Sequence, residues 1–221
     1  MIVTLDGPAG AGKSSAARAL AERLGWCHLD TGAMYRTVAL VALERGVPLD
    51  DAPRLAALTE RIAITFRDGR VLADGRDVSA EIRTERVTQA TRFVADAPPV
   101  REAMKRIQRR LAQDVDVVTE GRDQGTEVFP HAEVKVFLTA SPEERARRRH
   151  REEADRGAAS NLESVRRALV ARDEGDRSRP VGAMRPAADA VVLDTDGLSR
   201  DEVVERLAAL VTARRPECRV P

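Results

Sequence analysis

The stretch "GPAGAGKSS", Gly7 to Ser15, gathers three glycines, one lysine and two hydroxyls. It fits the spacing G-x-x-x-x-G-K-[ST], with Gly7, Pro8, Ala9, Gly10, Ala11, Gly12, Lys13 and Ser14 in the pattern and Ser15 next to it. Residues of these types do one kind of chemistry well. Glycines let backbone N–H groups wrap a phosphate chain, a helix N-terminus adds positive potential, Lys13 reaches the outer phosphates, and the Ser14 hydroxyl can ligate magnesium. A plain glycine turn with an incidental lysine has the same composition. The apolar run "MIVTLD" before the loop and the helical "AARALAERLG" after it supply the strand and helix that a phosphate cradle requires.

Further residues could complete such a site. Glu120 closes the apolar run "DVVTE", where an acid would hold the water shell of a metal, although a strand-end carboxylate in solvent is the plainer use of the same residue. "DTGAMYR" puts Arg36, and "VVTEGRDQGT" puts Arg122 and Asp123, where the C-terminal ends of strands collect ligands. Arg36, Arg122, Arg172 and Arg179 fall in separate loops or helix ends and could converge on two sets of phosphates. Each would serve equally well as a surface ion pair until a second argument is added. A bound nucleotide would suit a switch, a motor or a kinase; the chain has no guanine-reading Asn-Lys-x-Asp stretch and is short for a motor.

The elements that must position these residues follow from periodicity. "IVTL" is a β-branched strand, and "SSAARALAERLG" a helix with Ala17, Leu20 and Leu24 on one face and Gly25 as its stop. "WCHLD" reads as a second strand and "AMYRTVALVALERG" as a helix closed by Gly46, an alternation that implies a parallel sheet. From about Pro53 a helix, "PRLAALTERI", leads into "AITFRDGRVLADGRDVS", where the turn dipeptides Asp68-Gly69 and Asp74-Gly75 predict a small antiparallel insertion. "PPVREAMKRIQRRLAQ" is a helix opened by proline, with Val100, Met104, Ile107 and Leu111 spaced for one buried stripe. "DVVTE" and "VKVFL" are buried-type strands. Ser141 and Glu144 in "SPEER" form an expected capping pair, as do Ser199 and Glu202 before the final amphipathic helix. Between them "RARRRHREEADRG" is charged all round, a helix without an apolar stripe and so a candidate lid. "NLESVRRALVARDEGDRSR" is a helix running into an arginine-rich loop, "AVVLDT" is the last strand, and a short polar tail follows Arg215.

Composition narrows the class. With 221 residues and 43% hydrophobic content the chain is long enough for one globular core. Lys+Arg at 37 against Asp+Glu at 36 leaves no overall field for nucleic acid or an anionic membrane, so any basic site is local. Basic residues are almost all arginine, a genomic bias in the first place, although arginine is also the better fork for phosphate. The cysteines, Cys27 and Cys218, lie far apart with no CxxC and no histidine cluster, which favours a reducing compartment and no zinc. The N-terminus has neither a signal-type core nor a membrane-spanning run, so a cytoplasmic location is expected.

Taken in order, "GPAGAGKSS", "DTGAMYR", "EIRTERV", "PPVREAMKRIQRR", "EGRDQGTEVFP", "VKVFLTASPEERARRR" and "RDEGDRSRPVGAMRPAADAVVLDT" resemble the bacterial cytidylate kinases along nearly the whole chain. The resemblance implies an α/β fold of the P-loop NTPase type. Its adenylate-kinase-like three-layer core would hold a parallel five-stranded sheet within a single domain, 1–221, with an NMP-binding insertion at about 37–95 and a short lid at about 145–160. It implies transfer of a phosphoryl group from ATP, with magnesium, to CMP or dCMP. At matching positions Arg36, Arg122 and Arg179 would grip the CMP phosphate and, with Lys13, serve catalysis. Arg101 and Asp123 would read the cytosine edge, Asp176 and Arg172 would sit by the sugar, and Thr31 near the acceptor end. Ser14 and Glu120 would hold the metal, and Arg148, with Arg145 and Arg149 as looser candidates, the ATP phosphates. A monomer acting on small molecules, without nucleic acid or membrane, is expected.

Asp123 could accept from the cytosine amino group, where uracil would present a carbonyl oxygen; two facing acceptors cost the wrong base roughly 1–3 kcal/mol. Two positions depart from the family pattern: Arg92, beside Thr91, stands where a serine is usual, and Glu120 where aspartate is usual. Two other readings stay open on the residues alone. One is a kinase for another small acceptor such as UMP; the other is a non-catalytic nucleotide-binding regulatory module.

Overall fold

The computed structural model of the chain describes residues 1–67, 69–155, 157 and 160–214. Asp68 of one expected turn, positions 156, 158 and 159 of the expected lid, Cys218 and the tail after Arg215 lie outside the described residues. The first half of the chain forms β1 (Ile2–Asp6), α1 (Lys13–Leu24), β2 (Cys27–Asp30), α2 (Thr31–Glu44), α3 (Ala52–Arg61), β3 (Ile64–Arg67), β4 (Arg70–Ala73), β5 (Arg76–Asp77), α4 (Glu85–Asp96) and α5 (Pro98–Leu111). The second forms β6 (Val117–Glu120), β7 (Val134–Thr139), α6 (Pro142–Ala154), α7 (Leu162–Ser178), β8 (Val191–Asp194) and α8 (Arg200–Arg214), with a π turn at Gln124–Val128. The fold is of the α/β class, with a five-stranded sheet in the order β2-β6-β1-β7-β8 and a separate three-stranded sheet, β3-β4-β5. Among the described residues no helix is long and apolar enough to cross a membrane.

The chain divides into two compact units, one of Met1–His28 with the described residues from Asp114 on, the other of Leu29–Gln113. In the first, β1 lies parallel between β6 and β7, and β8 extends the sheet beside β7. Side chains alternate across a strand, so Val3 and Leu5 join Val118, Val136 and Leu138 on one face, packed with Ala17 and Leu20 of α1 and Leu207 and Val211 of α8. Full burial of each leucine contributes about 1.5–3 kcal/mol. The register that sets Leu5 opposite Glu120 brings Glu120 to this same face, while Thr4 and Asp6 belong to the other.

Helix α1 begins at Gly12 in the left-handed region and no side chain among the described residues caps it. By contrast, α2, α3, α6 and α7 are capped by Asp30, Asp51, Ser141 and Asn161. The first-turn amides of α1 are thus left for a ligand. Ser199 and Glu202 form the expected reciprocal box at α8. The box expected at α6 is half right: Ser141 Oγ accepts from the Glu144 N–H, but the Ser141 N–H donates to Asp196. The Glu144 carboxylate is drawn instead to Arg147 and Arg148, because charged partners offer it stronger bonds than a backbone amide does.

In the second unit, α2 packs on α4 and α3 on α5. The small sheet is antiparallel as its turn dipeptides predict, with Gly75 at φ 83° in the second turn. Val100, Met104 and Ile107 of α5 are buried, but Leu111 is 38% exposed and does not belong to the stripe. Arg106 of the same helix pairs with Glu60 of α3.

Candidate functional site

The glycine loop joins β1 to α1, and its glycines have structural tasks. Gly7, Gly10 and Gly12 all have positive φ. At Gly7 a Cβ would stand 1.9 Å from the Leu138 carbonyl oxygen, so only glycine lets the loop leave the sheet there. Lys13 is buried and its Nζ donates to the Pro8 carbonyl at 2.6 Å, folded back along the loop. Burial is the largest influence holding its ammonium below the usual lysine range, the charges of Arg122 and Arg172 act the same way, and Glu120 and Asp6 oppose them. Lys13, Glu120, Arg122 and Arg172 therefore share one electrostatic neighbourhood. Ser14 is exposed in the first turn of α1, and the Ser15 hydroxyl donates to the Gly12 carbonyl.

Beneath the loop lies a residue that motif reading passed over. The Asp6 carboxylate, at the end of β1, accepts from the N–H groups of Gln124 at 2.9 Å and Gly125 at 2.7 Å. These amides open the π turn that follows Arg122 and Asp123, and Thr119 Oγ1 donates to the Gln124 side chain at 2.9 Å. Gly125 must be small, since a Cβ would meet Thr4 Oγ1 at 2.9 Å. Burial pushes the Asp6 carboxyl up to about 6 with help from Asp123, while the two amide bonds and Lys13 oppose the shift. The available signal was a carboxylate ending an apolar strand directly before the glycines.

Across from Lys13 stands a knot of arginines. The buried carboxylate of Asp176, in α7, accepts from Arg122 Nε at 2.7 Å and pairs with Arg179 Nη2 at 2.6 Å. Burial alone would raise its pKa, but Arg122, Arg179 and Arg172 outweigh that and hold the carboxyl below the usual range. Arg122, Arg172, Asp176 and Arg179, spread over about a quarter of the chain in sequence, are thus brought together, with Asp123 buried beside Arg122.

Three expected substrate contacts lie in the other unit. Thr31 is the buried first residue of α2, Arg36 lies one turn along it, and Arg101 is buried in α5. Arg101 Nη1 donates to the Ala95 carbonyl at 3.0 Å, and its guanidinium lies 5.7 Å from the Tyr35 ring centre. Arg92 is exposed and lies 4.8 Å from the Phe93 ring centre.

The arginine-rich α6 corrects the expectation of a helix without an apolar side. Ala146 is buried in a small cluster with Ala9, Val165 and Leu169. Arg145 is turned into the protein, its Nε donating to the Ala140 carbonyl and its Nη1 to Asp173 and to the Ala9 carbonyl. The charge count misled here because a buried anion, Asp173, waits on the neighbouring helix. Arg148 flanks the loop, with Nη1 3.7 Å from where a Gly12 Cβ would be, and it donates to Thr195 Oγ1 and the Thr195 carbonyl. Arg149 pairs with Glu153 and Glu152 along α6.

The family model described as Cytidylate kinase matches residues 3–213. A cytidylate kinase of Rhodopirellula baltica is 52% identical over 211 residues, covering 96% of this chain and 92% of that protein. One of Pelotomaculum thermopropionicum is 48% identical over 220 residues, covering 97% of each. A bifunctional pantoate ligase/cytidylate kinase of a Synechococcus strain is 45% identical over 216 residues, 95% of this chain and 40% of that longer protein. Among solved structures, the protein TT1252 of Thermus thermophilus superposes with a TM-score of 0.52 at 21% identity, covering 98% of each chain, and an uncharacterized protein of Eubacterium ventriosum with 0.53 at 9%, covering 97% of this chain and 99% of that one. These two likenesses concern the fold. With a family match over residues 3–213 and relatives about half identical along nearly the whole chain, the chain belongs to the cytidylate kinases, a family of nucleoside monophosphate kinases.

Proposed function

We propose that the chain transfers the γ-phosphoryl group of Mg-ATP to CMP or dCMP, giving ADP and CDP or dCDP. A phosphate oxygen of the acceptor attacks the γ-phosphorus while the bond to the β,γ-bridging oxygen breaks, and the electron pair leaves with ADP. Such a transfer asks the protein for alignment, charge neutralisation and exclusion of water more than for covalent help. The observation that carries the reading is the pairing of Arg122 and Arg179 on one buried carboxylate, Asp176, in the same electrostatic field as Lys13. One nucleotide needs a single phosphate grip; two grips side by side suit a donor and an acceptor.

In this reading the residues Gly7 to Ser15 wrap the ATP phosphates, with Lys13 on the transferred group and Arg148 flanking. Ser14 and Glu120 offer one hydroxyl and one carboxylate to magnesium, the partial set that suits an ion arriving on a nucleotide whose phosphates and waters complete its shell. Arg36, Arg122 and Arg179 take the acceptor phosphate, Arg172 and Asp176 lie by its sugar, and Thr31 lies near the acceptor end. Arg101 and Asp123 select cytosine. A region of about 37–95 acts as the NMP-binding insertion and about 145–160 as the lid, in a cytoplasmic monomer without nucleic acid or membrane partners.

The test is ADP formation from Mg-ATP with CMP, dCMP, UMP, AMP and GMP offered separately. Preference for CMP and dCMP supports the reading. Preference for UMP would move the assignment to another acceptor, and ATP binding without turnover on any of the five would leave a regulatory module. Within the proposal, Lys13→Ala should lower kcat with every acceptor by about 10²–10³-fold, whereas Asp123→Ala should erode the preference for cytosine over uracil. Equal loss of selectivity in both variants would refute that division of roles.

A further inference from the structure

The phosphate loop is held from outside at Ala9, a turn residue that belongs to neither the sheet nor a helix. Ala9 donates its N–H to Asp173 Oδ1 at 3.2 Å, and its carbonyl accepts from Arg145 Nη1 at 3.0 Å. Asp173 and Arg145 in turn form a buried ion pair at 2.5 Å, with the two side chains 1% and 5% exposed. Both polar groups of one loop residue are thus gripped by the two halves of a single ion pair, one half from α6 and the other from α7. The remaining Arg145 bond, from Nε to the Ala140 carbonyl, fixes the guanidinium plane at the end of β7. The apolar cluster of Ala9 with Ala146, Val165 and Leu169 seals the pair, and Gly10 allows the approach, since a Cβ there would stand 3.0 Å from Arg145 Cβ and 3.1 Å from the Arg145 carbonyl oxygen.

We propose that Arg145 and Asp173 are positioning residues for the donor nucleotide: they set the Ala9 peptide of the phosphate loop and fasten the base of the α6–α7 pair to it. The proposal rests on the reading of Gly7 to Ser15 as the ATP cradle. A buried ion pair is weak evidence for stability, because an apolar pair of similar size often serves the fold as well or better. That difference separates the two roles. Arg145→Met combined with Asp173→Leu removes both charges together and leaves neither stranded. It also leaves the Ala9 N–H and carbonyl without their holders.

The experiment compares the wild-type full chain with the double variant in thermal unfolding, ATP binding by titration calorimetry, and KM for ATP and for CMP. The double variant is expected to unfold cooperatively with a Tm lowered by the stranded Ala9 groups, while the Kd and KM for ATP rise on the order of tenfold, the worth of one ordinary buried hydrogen bond, and KM for CMP changes by less than about twofold. A folded double variant with wild-type affinity for ATP, or with both KM values raised equally, overturns the proposal. Should the double variant fail to fold, Arg145→Lys decides: lysine can reach Asp173 or the Ala9 carbonyl but not hold both in one plane, so ATP affinity alone should weaken, and an unchanged ATP affinity overturns the proposal. If the wild-type chain itself does not bind ATP, the reading of the cradle fails rather than the positioning role.

Discussion

Replacing Asp6 by asparagine should abolish a specific pH dependence of stability. The carboxyl stands at about 6 in the fold against 3.8 for an unperturbed aspartate. A raised acid binds its proton more readily when folded, so protonation favours the native state and the wild type gains stability from this group as pH falls through 6 toward 4. Linkage gives a gain of about 1.3 kcal/mol between pH 7 and pH 5, and keeping the buried carboxyl ionised at pH 7 costs about 3 kcal/mol. Asparagine removes that cost but can accept only one of the two amide bonds now made by Gln124 and Gly125, which leaves an N–H unpaired at about 1–3 kcal/mol. The two effects nearly cancel at pH 7, so Asp6→Asn should fold. Its loss of attraction for Lys13, whose ammonium is already disfavoured by burial, acts in the same direction as pH falls. Urea unfolding of both proteins at pH 7, 6 and 5, without nucleotide, measures the gap. Wild type should gain on the variant by about 1.3 kcal/mol across that range; a constant gap, or one that moves in favour of the variant, would refute the assignment of a raised carboxyl to Asp6.

Gly7→Ala should be the most damaging glycine substitution, because its Cβ would meet the Leu138 carbonyl at 1.9 Å; denaturant titration should show a loss beyond about 4 kcal/mol or no cooperative transition. Gly46→Ala, with a left-handed φ of 64° but open space around it, should cost only about 1–2 kcal/mol in the same assay. Asp176→Asn removes the counter-charge shared by Arg122 and Arg179, and steady-state kinetics should show KM for CMP raised on the order of tenfold or more with a smaller change for ATP. An unaltered KM for CMP would detach Asp176 from the acceptor site. The Asp176 carboxyl is held below the usual range, so its contribution is present above the ordinary aspartate pKa and lost as pH falls below it. Acid titration of CMP binding should therefore show no loss from this group between pH 7 and about 5.

The sequence alone carried whatever depends on neighbours in the chain. Glycine spacing named the tight loop between β1 and α1, Gly25 and the Ser199/Glu202 pair marked helix ends, and the alternation of short apolar runs with amphipathic stretches implied the parallel sheet. Each rests on backbone geometry or on periodicity, which a few residues determine among themselves. Tertiary structure decided where charge is buried. Ala9 and Asp173 are 164 positions apart, and Asp6 and Gln124 are 118 apart, so no local rule joins them. The same separation explains the misreading of α6: charge on every side looks solvated until a distant carboxylate supplies a partner for Arg145. Leu111 shows the converse, an apolar position that fits the helical period and is nevertheless exposed. Propensity and spacing specify which face a side chain takes; only the packed neighbours specify whether that face meets water, an apolar wall or an opposite charge.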